Sequence, residues 1–116
     1  MKIKVFEAVN ICTILGVAST EELGESAEKV TDIFIGLTPL VREYNDALML
    51  LQKDAKGKSA EEAENLTSAK AFEKIANSER EVSIPTLTMA EIKTIGGAIK
   101  GFKLANYNLL YPIIQN

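Results

Sequence analysis

Between Val30 and Leu51 the residues Val30, Phe34, Leu37, Val41, Tyr44, Leu48 and Leu51 recur at spacings of four, three, four, three, four and three. That alternation stacks their side chains on a single stripe of an α-helix, and Ile33, Leu40 and Ala47 widen the stripe into a face. The pattern predicts a long amphipathic helix over residues 20–54, and any fold of this chain has to bury that face. Ser19 followed three residues on by Glu22 has the capping-box spacing, and Glu21 and Glu25 suit the positive end of the helix. Lys53, Lys56 and Gly57 mark its end. Gly36 and Pro39 interrupt the pattern. A proline there removes the bond to residue 35 and crowds its carbonyl, so a kink or a break is expected.

A second helix is predicted over residues 60–77. Ser59 and Glu62 repeat the capping-box spacing, and Ala63, Leu66, Ala69, Phe72, Ile75 and Ala76 supply a narrower apolar stripe. The connection through Lys56-Gly57-Lys58 is short, which makes the two helices an antiparallel hairpin. Upstream, residues 5–17 read as a first helix with Val5, Ala8, Val9, Cys12 and either Ile11 or Leu15 inward, closing near Gly16. Met1 to Val5 alternate apolar with charged, and so do Arg80 to Ile84 before Pro85, so residues 1–5 and 80–84 are candidates for a small two-stranded ribbon.

In the last third, Thr88 and Glu91 form a third capping-box pair opening a helix through Met89, Ile92 and Ile95, with Gly96-Gly97 as its expected end. A final helix from Ala98 or Gly101 to about Tyr111 carries Ile99, Phe102, Leu104, Tyr107, Leu109 and Leu110 before Pro112. That segment is too apolar all round for a lone surface helix, so it belongs to the core or to an interface. The expected fold is mainly α: a long kinked helix in an antiparallel helical hairpin with shorter flanking helices, with residues 1–5 and 80–84 as candidates for a small two-stranded ribbon. No repeat or linker divides the 116 residues, so a single helical domain is expected.

Composition excludes several chemistries. The chain has no histidine, no tryptophan and one cysteine, which removes His-based triads, a His general base, Cys/His zinc sites and a disulfide framework. Cys12 lacks an activating partner on an apolar helix face, where burial raises a thiol pKa. Gly96-Gly97-Ala98-Ile99-Lys100-Gly101 lacks the spacing and the Ser/Thr of a phosphate-binding loop. The acids Glu21, Glu22, Glu25 and Glu28, like Glu61, Glu62 and Glu64, sit on capping turns or polar faces. No enzyme, no metal and no cofactor is expected. The net charge of −3 disfavours nucleic acid and anionic membranes as partners, and no apolar run approaches the roughly 18 residues of a spanning helix. A soluble, intracellular chain is expected.

What remains is recognition. After Glu91 there is no acid, while Lys93, Lys100 and Lys103 interleave with Phe102, Tyr107 and Tyr111. These six are the candidate interface or ligand-binding residues, set against the plainer reading of a solvated helix face. The expected partner is a protein or a second copy through the apolar C-terminal segment, giving a homo-oligomer. A small anionic ligand is the alternative.

Five short segments carry a resemblance: Lys2-Ile3-Lys4-Val5 with Glu7-Ala8-Val9-Asn10, Arg42-Glu43-Tyr44-Asn45-Asp46, Glu81-Val82-Ser83-Ile84-Pro85, Leu87-Thr88-Met89-Ala90-Glu91-Ile92, and Leu110-Tyr111-Pro112-Ile113-Ile114. In this order they resemble a group of small, mainly helical phage and prophage proteins without assigned function. The resemblance implies a viral or prophage origin and a non-enzymatic role, as a virion or assembly component or an inhibitor of a host system. The alternative is an oligomeric sponge that sequesters a nucleotide-like signal and so counters host defence.

Overall fold

A computed structural model describes residues 1–17 and 23–115. Among the described residues the order is β1 (Lys2–Lys4), α1 (Val5–Leu15), α2 (Ser26–Ala55), α3 (Ala60–Glu64), α4 (Thr67–Ala76), β2 (Glu79–Glu81), α5 (Met89–Ala98), α6 (Leu104–Leu110) and a final 3₁₀ turn (Tyr111–Ile113). The fold is mainly α, with the expected hairpin and a two-stranded ribbon. In that ribbon β1 and β2 run antiparallel, pairing Lys2 with Glu81, Ile3 with Arg80 and Lys4 with Glu79. Opposite charges face each other on the outer side, and Ile3 is buried on the inner one.

The long helix begins later than the expected residue 20. Gly24 has φ of 56°, a left-handed conformation no α-helix contains, so α2 starts only at Ser26. The Ser19–Glu22 cap falls outside the described residues. Of the two outcomes expected at Pro39, a break does not occur: α2 runs unbroken through it for 30 residues. Pro39 lies on the exposed side, and the carbonyl it deprives of a partner belongs to Ile35, 64% exposed, so water can satisfy it. On the inner side Ile33, Leu37 and Leu40 are held in the core on either flank of the proline.

Gly36 answers to packing. A Cβ there would collide with Cγ2 of Ile84, so the glycine opens room for the chain after β2 to cross α2.

The predicted single helix over 60–77 is two helices, α3 and α4, separated at Asn65 and Leu66. The side-chain amide of Asn65 donates to the Glu61 carbonyl at 3.0 Å, taking the acceptor that a continuing helix would use, while its backbone N–H turns to Glu62 at 3.2 Å. Leu66 is then extended, with ψ of 145°, before α4 begins. The Ser59 cap is present, accepting from the Glu62 N–H at 3.2 Å.

Gly96-Gly97 does not end α5, which continues to Ala98. Gly96 is needed for closeness, because a Cβ there would lie 3.2 Å from the Phe102 ring. The turn comes at Gly101, with φ of 78°, and α6 starts at Leu104 rather than at Ala98 or Gly101. Its start is secured by the Lys103 N–H donating to Asn106 Oδ1 at 3.0 Å.

The core gathers Ile3, Val5, Ala8, Ile11, Leu23, Ile33, Leu37, Leu87, Ile95, Leu110 and Ile113, all essentially sealed from solvent. Both Ile11 and Leu15 face inward, joined by Ile14. The last segment is tied in by a short parallel bridge, with Leu87 N–H donating to Ile113 and Gln115 N–H to Leu87, each at 2.7 Å. Past Leu40 no apolar residue of α2 is fully buried. The part that holds this core is the head, and from it the second half of α2 with α3 and α4 forms a three-helix arm on a molecule measuring 48 by 29 by 21 Å. The Tyr44 and Phe72 rings join its helices edge to face, 4.9 Å between centroids. No helix among the described residues is long and apolar enough to cross a membrane.

Candidate functional site

The six residues singled out in the C-terminal third do not form one site. Phe102 packs half-buried over Gly96 and against the core. Tyr107 is also half-buried, and its hydroxyl meets Met89 Sδ at 3.4 Å. Lys93, Lys100 and Lys103 are exposed. Tyr111, 64% exposed, borders a small hollow of about 180 Å³ with Phe6, Asn10, Leu109 and Pro112, and none of the three lysines lines it. The terminal segment is core on its inner side, through Leu110 and Ile113, and carries Leu104 and Tyr111 outside.

A hollow of about 590 Å³ lies where α2 and α5 begin, between Gly24, Ser26, Lys29, Thr88, Ala90 and Thr94. Its Lys29 and Glu91 neutralise each other at 2.8 Å. The hydrogen bond from Lys29, with that from the Thr88 N–H, holds the Glu91 carboxyl below its ordinary pKa. This carboxylate is therefore occupied twice, as the cap of α5 and as the partner of α2.

Cys12 is buried in α1, and desolvation pushes its thiol up to about 11. A thiol so placed is neither a nucleophile nor a ready metal ligand. Among the described residues no group of three or more His, Cys, Asp or Glu side chains gathers to hold a metal.

The arm is different in kind. Met49 and Leu50 of α2 are 65% and 53% exposed, at consecutive positions off the stripe that packs on α4. Beside them a shallow groove of about 310 Å³ runs between the helices, lined by Asp46, Ala47, Leu50, Ser68, Ala71 and Ile75. Ser68 Oγ is buried in that wall with no hydrogen-bond partner among the described residues. Towards the tip a second groove of about 290 Å³ is lined by Leu51, Ala55, Ala63 and Ala69. At the base Arg80 pairs with Glu43 at 2.6 Å and fixes the arm to the ribbon.

In comparisons with known proteins, no family model, no curated protein and no solved structure matches the chain.

Sequence reasoning passed over Met49 and Leu50. The signal was present: two large apolar residues lie between the stripe positions Leu48 and Leu51, on what should be a polar face. A further apolar hollow of about 200 Å³ is lined by Leu15, Leu23, Val30, Phe34 and Ile35.

Proposed function

We propose that the protein is a small phage-encoded, non-enzymatic binding protein of the host cytoplasm or virion that works by protein–protein contact, as an assembly component or an inhibitor of a host system. The exposure of Met49 and Leu50 on the arm carries the reading. A helix pair that buries one stripe and leaves large apolar side chains on its outer side has surface to offer to another protein. The phage assignment is supported by the resemblance of the five quoted segments. For the alternative, a sponge for a nucleotide-like ligand at Lys93, Lys100 and Lys103, no observation speaks: these lysines line none of the five hollows described.

The test is chemical cross-linking in producing cells with tagged protein, comparing the parent chain with the Met49→Ser/Leu50→Ser variant. A protein, either another chain or an untagged copy, is expected to cross-link to the parent and to be lost with the variant. Cross-linking of no protein to the parent would overturn the reading.

A further inference from the structure

The exposed side of α2 in the arm carries Arg42, Asp46, Met49 and Lys53 at spacings of four, three and four, which keep them on one stripe, with Leu50 on its flank towards the groove against α4. We infer that this stripe docks a second copy of the chain, α2 against α2 in antiparallel orientation, with Met49 and Leu50 meeting across the two-fold axis and Asp46 of each copy facing Lys53 of the other. The inference rests on reading the arm as a contact surface and names its partner.

Self-complementarity is what selects a second copy. In an antiparallel helix pair with two-fold symmetry, residues that face each other have numbers with a constant sum. Setting Met49 opposite Leu50 also sets Asp46 opposite Lys53, so apolar meets apolar at the centre and acid meets base on both flanks. One position further out Glu43, already paired with Arg80, falls opposite Lys56, while Arg42 falls opposite Gly57.

Neighbouring registers lose this match. A slip of about one turn, four residues, sets Leu50 against Lys53 and Met49 against Asp54 in one direction, or Leu50 against Asn45 and Met49 against Asp46 in the other. A parallel pair sets Asp46 against Asp46 and Lys53 against Lys53. Among the described residues Asp46 and Lys53 are exposed and enter none of the three ion pairs, so both are available to the second copy.

Size sets the strength. The arm's part of α2, residues 41–55, is about 22 Å long, and a helix about 11 Å across gives roughly 240 Å² per copy. That is below the usual 800 Å² or so of a stable interface, and the dimer is accordingly expected to be weak.

Sedimentation equilibrium of the full chain from about 1 to 500 µM tests it. The parent chain is expected to go from monomer to dimer across that range. Asp46→Lys and Lys53→Asp, each of which brings like charges together, should weaken the dimer at least tenfold. The double variant Asp46→Lys/Lys53→Asp should restore it to within about threefold, an effect that a merely structural role for either residue would not produce. A strict monomer at every concentration, or a dimer equally strong in all four proteins, would overturn the inference. If the chain is a strict monomer yet a different protein still cross-links through Met49 and Leu50 in cells, the second copy is excluded and the contact surface stands.

Discussion

Lys29 Nζ lies 2.8 Å from Glu91 Oε1, and this pair clamps the first turn of α2 to the first turn of α5 across 62 residues of chain. The same ammonium donates to the Thr86 carbonyl at 3.3 Å, while Glu91 accepts from the Thr88 N–H at 3.0 Å.

Acid should loosen this clamp. A carboxyl whose folded pKa lies below its unfolded value contributes stability that is complete above the unfolded value, near 4.5, and is lost as pH falls through the folded one. Glu91→Ala removes both cap and ion pair and is expected to cost about 1–2 kcal/mol at pH 7. Lys29→Met removes the strongest of the interactions that lower the Glu91 pKa. Urea midpoints at pH 7 and pH 3 should therefore differ less in Lys29→Met than in the parent chain, and an equal difference would contradict the assignment.

Gly36→Ala should destabilise the protein although alanine is the better helix former by about 1 kcal/mol. The new methyl meets Cγ2 of Ile84, whose β-branched side chain has little rotamer freedom to yield. A net loss of about 1–2 kcal/mol is expected in urea unfolding. A gain would mean that Ile84 moves aside freely.

Ser68→Ala should do the opposite. Its hydroxyl is buried with no partner among the described residues, a condition that costs about 1–3 kcal/mol, and alanine suits the first turn of α4. Thermal unfolding should rise by a few degrees. A fall would reveal a hydrogen bond to a group outside the described residues or to water.

Cys12 should resist thiol reagents in the folded protein. With the thiol at about 11, only about one molecule in a thousand carries thiolate at pH 8, and the side chain is buried as well. Labelling should track global unfolding across a urea series. Rapid labelling without denaturant would show that α1 opens locally.

Much of the head and hairpin was legible because the patterns behind them are periodic: the stripe from Val30 to Leu51 needs only spacing to be read, and Thr88 with Glu91 makes the box that its spacing announced. The misjudged boundaries turn on single residues whose effect depends on surroundings. Asn65 splits a helix because its amide finds a carbonyl one turn back, and Gly96 stays helical because Phe102 needs its missing Cβ. Proline at 39 fails to break α2 because it faces water. The bridge between Leu87 and Ile114 joins segments with no shared local pattern, and nothing in either would have paired them. The C-terminal lysines and aromatics were grouped by nearness in sequence, but the turn at Gly101 and the inward packing of Phe102 and Tyr107 disperse them. Exposure at Met49 and Leu50 depends on how little of the arm α3 and α4 cover, a matter of three dimensions.

The ribbon that pairs Ile3 with Arg80 encloses nearly the whole arm-bearing sequence between its strands. Closing a loop of that length from an open chain costs about 4 kcal/mol of entropy. The arm, built from neighbours in sequence, brings residues 41 and 76 together beforehand and shortens the loop that remains. The order of assembly follows: hairpin first, with Tyr44 against Phe72, and then the two distant strands that seal the head.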